Sequence, residues 1–260
     1  MLSKPDIKWI RSLHHKKFRE QEGCFIVEGP RLLNELLSSG NFVVRKVYAL
    51  PGWVMPATFR DLSVQVIDES TLSKLSALES PNKVLAVVEI PGREKSTLPV
   101  PPVGDGVHLL LDQIQDPGNL GTIIRIADWF GLSGIYCSLN TVELFNPKVI
   151  QSTMGSVFRV PVMYTSLADL LIKNASGLKR PVYATTLQGE NIFQADVKTN
   201  ALLIMGNEGR GIDPLLIPFV TGELYIPGKN GKSEGAESLN VAVAAGIVCA
   251  EFARRKLIRP

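Results

Sequence analysis

Three glycine-containing segments of this 260-residue chain put polar side chains at the ends of apolar runs, where open α/β sheets place their ligands. The first, residues 111–125 (LDQIQDPGNLGTIIR), sets the turn formers Asp116, Pro117, Gly118 and Asn119 ahead of a helical stretch that projects Arg125 about one and a half turns past Asn119. DPGN taken alone is a tight turn with a helix cap. Arg125 is harder to reduce to structure. It stands among Ile123, Ile124, Ile126 and Ala127, and a guanidinium buried on an apolar helix needs an anionic partner. The second segment, residues 202–212 (LLIMGNEGRGI), runs an apolar strand into a loop whose glycines admit a ligand close to the backbone. The order Gly206, Gly209, Gly211 reverses the dinucleotide fingerprint, and Glu208 would repel a pyrophosphate, so a nicotinamide site is rejected. The third, residues 224–243 (LYIPGKNGKSEGAESLNVAV), imitates a phosphate loop at Gly231, Lys232 and Ser233, but Ile226 stands where that loop requires glycine. It reads as a strand end, a mobile loop and a helix start at which Glu237, Ser238 and Asn240 can bond the free N–H groups of the first turn.

Other chemistries find little purchase. His14, His15 and His108 are not spaced with acidic residues as metal ligands, so no metal is expected. Cys24, Cys137 and Cys249 are too dispersed for a disulfide framework and read as small buried fillers. Net charge is only +3, but Lys4, Lys8, Arg11, Lys16, Lys17 and Arg19 crowd the amino end, either as a solvated helix face or as a phosphate-contacting surface. No run reaches the roughly 18 apolar residues of a membrane span, and the polar start lacks a signal core, which predicts a cytoplasmic protein without membrane attachment.

The elements that must hold these residues fall into two groups. The proline-rich stretch 91–106 (PGREKSTLPVPPVGDG) reads as a linker between a domain at 1–90 and another at 107–260. In the first, β-rich runs at 25–27, 43–49, 64–67 and 84–90 alternate with helical patterns at 31–37 and 70–77, which predicts a small α/β sandwich. In the second, buried strands at 107–111, 134–137, 181–186 and 201–205, with helices at 121–130 and 167–174, predict a mostly parallel sheet. A last helix, 238–256, aligns Leu239, Val243, Gly246, Ile247 and Ala250 on one face. Its small residues would permit a close helix contact.

Taken together and in this order, DPGNLGTIIRIADWFG, IMGNEGRGI and IPGKNGKSEGAESLNVAVAAGI resemble motifs one, two and three of the SpoU (TrmH-like) family of SPOUT RNA 2′-O-ribose methyltransferases. NPKVIQSTMGSVFRVPV (146–162) resembles its intermediate segment, and FIVEGPRLLNELL (25–37) is similar to the L30e-like substrate-binding domain that precedes many of its catalytic domains. The resemblance implies an L30e-like RNA-binding domain at 1–90, a SPOUT α/β domain with a deep trefoil knot at 107–260, and a homodimer. It implies S-adenosyl-L-methionine as cofactor and RNA as substrate, 23S ribosomal RNA first and transfer RNA second. A non-catalytic RNA-binding protein that keeps the fold is the alternative. By motif position, Asn119, Arg125, Glu208, Ser238 and Asn240 would be the active-site residues, while Thr185, Gly206, Ile226 and Leu239 would line the cofactor pocket. Lys16, Lys17 and Arg19 would contact RNA. One departure stands out: the loop 228–235 is longer than the common family form, which puts the alignment of Lys229 and Lys232 in doubt. The resemblance gives Arg125 the task of activating the 2′-hydroxyl. A guanidinium pKa above about 12 favours an electrostatic role instead, gripping a phosphate and the developing alkoxide, and both accounts stand at this stage. Removal of residues 1–90 is expected to leave a folded dimer that binds cofactor.

Overall fold

A computed structural model describes residues 2–55, 62–91, 105–228 and 238–258. Most of the expected linker (92–104) and the loop residues 229–237, with Lys229, Lys232 and Glu237, lie outside the described residues. In chain order the elements are α1 (Lys4–Ser12), α2 (Lys16–Glu22), β1 (Cys24–Glu28), α3 (Pro30–Ser39), β2 (Val44–Ala49), β3 (Val64–Val66), α4 (Glu69–Leu75), β4 (Val84–Glu89), β5 (His108–Leu111), α5 (Pro117–Trp129), β6 (Gly134–Cys137), α6 (Pro147–Thr153), β7 (Val162–Tyr164), α7 (Leu167–Ser176), β8 (Val182–Asn191), β9 (Leu202–Met205), β10 (Gly222–Tyr225) and α8 (Val241–Ile258). Contacts divide the chain into two compact units, Met1–Leu98 with Glu143–Arg159, and Pro99–Val142 with Val160–Pro260.

The first unit is built on a four-stranded sheet of order β1-β4-β2-β3, in which only β2 and β3 run parallel. CFIVE and VLAVVE do not alternate apolar with polar because β1 is buried throughout and β4 nearly so, as happens when both faces of a sheet are covered. One core joins Ile26, Tyr48, Leu85 and Val87 of the sheet to Ile10, Leu13, Leu72 and Leu75 of the helices and their ends. Elsewhere in the unit, segment 143–159 closes on the sheet. The ring of Phe145 lies 4.5 Å from that of Phe25, the ring of Phe158 lies 5.3 Å from that of Phe42, and Gln151 Nε2 donates to the Glu28 carbonyl at 3.1 Å. This stretch stands in sequence between β6 and β7 of the other sheet, yet groups with the amino-terminal elements.

Arg19 is a correction. It was expected to face RNA, but it is 2% exposed. Its Nε donates to Glu143 Oε1 at 3.0 Å, Nη2 pairs with Glu143 Oε2, and Nη1 donates to the Leu13 carbonyl at 2.8 Å. A fork spent on an internal carboxylate is not free for phosphate. Lys16 and Lys17, on the same helix, are exposed, Lys16 lying 3.7 Å from Glu20.

The second unit holds a six-stranded parallel sheet of order β10-β8-β9-β5-β6-β7. From β5 the chain steps outward through β6 and β7, then crosses to β8 and returns to insert β9 beside β5. That reversal is a topological switch point, and the crevice beyond the carboxyl ends of β5 and β9 is the place such sheets reserve for ligands. His108, on β5, is buried with its ring 5.7 Å from that of Tyr136. All three cysteines are buried and unbridged, and burial pushes the Cys249 thiol up to about 12. The buried face of α8 is Val241, Ala242, Ala245, Val248, Cys249 and Phe252, which corrects the face expected from sequence. Leu239 and Val243 are about half exposed, and Gly246 meets α5 at Ile126, where an added Cβ would sit 3.6 Å from Ile126 Cδ1.

Candidate active site

The three glycine-containing segments converge at the switch point. Asp116 caps α5 by accepting from Asn119 N at 2.8 Å, which fixes the first turn and leaves the Asn119 side chain pointing outward. Asn119 Nδ2 donates to Glu208 Oε1 at 2.7 Å. Asn240 Nδ2 donates to Asn119 Oδ1 at 2.9 Å and to the same Glu208 oxygen at 3.1 Å. Asn240 Oδ1 accepts from Ala242 N at 3.0 Å and Val243 N at 3.3 Å, so this residue is both the cap of α8 and a member of the cluster. Val241 N, also in that first turn, donates to Glu208 Oε1 at 3.3 Å. A carboxylate held by two amides and a helix-terminal N–H is a fixed negative point, and the positive end of α8 favours it.

The loop that carries Glu208 is bound to the end of β5. Asn207 and Gly211 exchange both backbone bonds, at 2.8 and 2.9 Å. Asn207 Oδ1 accepts from Gly209 N and Arg210 N, while Asn207 Nδ2 donates to the Gln113 carbonyl at 2.8 Å. Asp112, only 3% exposed, accepts from Asp213 N through Oδ2 at 2.8 Å. Burial is the first cause that raises its pKa, with the charge of Asp213 adding to it, while the bonds from Asp213 N and Ser138 oppose. Gly206 is obligatory here, since a Cβ would lie 2.6 Å from the Gly211 carbonyl carbon. The Thr185 hydroxyl donates to the Ile204 carbonyl at 3.0 Å, tying β8 to β9 just short of this loop.

The remaining expected residues are placed as follows. Ser238 is exposed two residues before Asn240, Leu239 is 46% exposed, and Ile226 is half-buried just past β10. Arg125 needs a correction. It is exposed rather than buried in an apolar helix, on the face of α5 that also shows Thr122 and Trp129, and no hydrogen bond or ion pair holds it among the described residues. Its helix neighbours are apolar because the opposite face, with Ile123, Ile124 and Ala127, is the buried one. The guanidinium is therefore available to an anion from outside the described chain. Sequence reasoning did not single out Asp112 and Asn207. The available signals were an aspartate directly after the apolar run HLLL and an asparagine two residues ahead of Gly209, the spacing of an Asx turn. Among the described residues no group of three or more His, Cys, Asp or Glu is placed to hold a metal ion, and no helix is long and apolar enough to cross a membrane.

A parallel sheet with a carboxylate–amide cluster at its switch point is the arrangement of an α/β enzyme whose ligand site lies at the strand ends. Within that class, the chain belongs to the SpoU rRNA methylase family, whose profile matches residues 106–250; a second profile, the MRM3-like substrate binding domain, matches residues 4–86. The chain is 34% identical to the 23S rRNA (guanosine(2553)-2′-O)-methyltransferase RlmP of Bacillus subtilis over 93% of each chain. Among solved structures it is similar to the AdoMet-bound rRNA methyltransferase of Sinorhizobium meliloti (TM-score 0.82, 30% identity, 99% of this chain and 97% of that one). It is also similar to the SpoU methyltransferase AviRb of Streptomyces viridochromogenes in complex with AdoMet (TM-score 0.82, 25% identity, 98% and 99%).

Proposed function

We propose that this protein methylates a ribose 2′-hydroxyl of 23S ribosomal RNA with S-adenosylmethionine as donor. The observation that carries the reading is the closed set of bonds among Asn119, Glu208 and Asn240, one residue from each of the three motifs, inside the region matched to the family. The non-catalytic alternative is disfavoured because the family match and the full-length similarity are to methyltransferases. The match of residues 4–86 to a substrate binding domain, and a relative that acts on 23S rRNA, favour ribosomal over transfer RNA.

The residues fit the cofactor. Glycine-enforced backbone at Gly206 and the partly exposed apolar side chains of Ile226 and Leu239 suit an adenosine, with no cation or phosphate loop required. S-adenosylmethionine supplies a methyl group on a sulfonium, ready for in-line displacement. Glu208, Asn119 and Asn240 then fix the starts of α5 and α8 around it, and Ser238 offers a hydroxyl at the entrance. Arg125 grips the phosphate next to the reacting ribose and stabilises oxyanion character on the 2′-oxygen. Its charge stays in place throughout, and the proton leaves to that phosphate or to water. In the same reading, the amino-terminal unit is the L30e-like RNA-binding domain and exposed Lys16 and Lys17 meet phosphates. The carboxyl end, threading from β9 to α8, forms the trefoil knot. In the same reading the protein works in the cytoplasm as a homodimer.

The test is calorimetry with S-adenosylmethionine, its demethylated product, NAD and ATP, together with mapping of 2′-O-methyl groups in RNA from cells with and without the gene. Binding of the first two ligands and loss of one ribosomal methyl group are expected. Binding of a nucleotide alone, or unchanged methylation, would remove the assignment.

A further inference from the structure

Glu208 sits on an exposed loop, and an exposed loop does not by itself hold a carboxylate on two amides and a helix terminus. Something must aim it. β5 and β9 end side by side, Leu111 paired with Met205, and Asp112 N closes the ladder on the Met205 carbonyl at 2.9 Å. Beyond that point two side-chain bonds link the segments among the described residues. Asn207 Nδ2 reaches back to the Gln113 carbonyl, and Asp213 N reaches back to the Asp112 carboxylate. These bonds lie on either side of Glu208, one residue before it and five after, so they fix both ends of the loop that bears it.

The anchoring groups are themselves constrained. Gln113 has φ of 55°, a left-handed conformation that a non-glycine residue adopts only when its surroundings hold it there. Its N–H is fixed by Ser138 Oγ at 2.8 Å. Asp112 is buried, and an ionised carboxylate in such a place is retained only against a cost that its hydrogen bonds must offset. A loop that needed only to connect β9 to the rest of the chain could end on a glycine turn with no buried acid.

We propose that Asp112 and Asn207 are positioning residues for the methyl-transfer reaction: they clamp the loop 207–213 at both ends and so hold Glu208 against Asn119, Asn240 and the start of α8. Neither touches the reacting atoms. They act through Glu208, and the inference rests on the function proposed above. If the clamp is the cause of the alignment, its loss costs nothing once Glu208 is gone.

The experiment is a double-mutant cycle on the full chain, with single-turnover methyl transfer and amide exchange as readouts. Asp112→Ala should lower the transfer rate about 10- to 100-fold, the scale of losing a hydrogen bond to a charged group, while RNA affinity stays within about 3-fold. Asp112→Asn, which keeps an oxygen for Asp213 N, should restore most of the rate. In a Glu208→Ala background the further change Asp112→Ala should cost less than about 3-fold. Asn207→Asp keeps the Asx turn but sets a carboxylate oxygen against the Gln113 carbonyl, and should behave like Asp112→Ala. Amide exchange should quicken at 207–213 and at Val241, with β5 and β9 still protected. Fully additive losses in the cycle, or a lowered melting temperature with unchanged rate, would overturn the proposal. If the wild-type protein transfers no methyl group, the function is wrong, and the exchange data alone decide the clamp: unchanged protection at Val241 in Asp112→Ala would refute it.

Discussion

Arg125 and Arg19 show how differently one side-chain type can be used. Arg125 is exposed and unheld among the described residues, and Arg19 is buried and spent on Glu143 and the Leu13 carbonyl. Arg125→Lys keeps the charge but loses the planar fork, so we expect a rate at least about 100-fold lower, with cofactor and RNA binding and melting temperature nearly unchanged. Near-normal turnover in that variant would return Arg125 to the surface. For the amino-terminal unit, Lys16→Ala with Lys17→Ala should weaken RNA binding and flatten its salt dependence by up to about two units of slope. Arg19→Ala should instead lower the melting temperature, because it strands the Glu143 carboxylate. A salt slope unchanged by the double lysine change would leave that pair as a solvated face. Asn119, Glu208 and Asn240 were legible through their places in the three family motifs, whereas local spacing alone offers them only as a turn former, a loop carboxylate and a helix cap. Sequence could not separate Arg19 from its lysine neighbours, because the partner that claims it lies 124 positions away.

At the scale of elements, α8 brings Asn240 to the cluster at one end and is fastened at the other. Arg255 Nε donates to Glu251 Oε1 at 2.6 Å, its Nη2 donates to the Ile192 carbonyl at 2.8 Å, and Nη1 bonds the Ala195 carbonyl. Glu251 also accepts two bonds from Arg254 at 2.8 Å, and these, with the Arg255 bond, hold its carboxyl down at about 2 despite burial. A folded-state value below the ordinary 4.5 means the carboxylate stabilises the protein above about pH 4.5, and the gain disappears as pH falls through about 2. Glu251→Gln should therefore cost about 2–4 kcal/mol at neutral pH in urea denaturation, with the gap to wild type closing between about pH 4.5 and 2. A pH-independent difference would show that the pairing is not what the glutamate contributes. The expected strands and long helices are present because buried parallel strands and apolar helices write themselves as runs. The short β7 was not read, and β10 showed only as a strand end. The buried face of α8 was misplaced because the helix is apolar nearly all round and offers no polar stripe to orient it.

At the scale of the whole molecule, a reading that follows the chain puts residues 107–260 together, whereas contacts group 143–159 with the amino-terminal elements. No local pattern announces this. The nearest signal is the unbroken apolar character of β1 and β4, which says that both faces of the small sheet are covered without saying by what. The consequence concerns truncation. Removing residues 1–90 would strip Phe145 and Phe158 of Phe25 and Phe42, leave Glu143 without Arg19, and free Gln151 from the Glu28 carbonyl. Each aromatic buries about 150–250 Å² in a core, so exposing two of them creates a sticky surface worth several kcal/mol at about 25 cal/mol per Å². We now expect the 91–260 fragment to aggregate or bind hydrophobic dye rather than fold cleanly. The second unit should recover if residues 143–159 are also replaced by a glycine–serine bridge, because Tyr164 Oη donates to the Val142 carbonyl and so ties β7 to the chain ahead of the excised segment. The bridged fragment should melt cooperatively and bind S-adenosylmethionine within about 10-fold of the full chain, since Asn119, Glu208 and Asn240 are all retained. If the unbridged fragment melts sharply and binds just as well, segment 143–159 does not depend on the amino-terminal sheet, and the two domains separate at the linker after all.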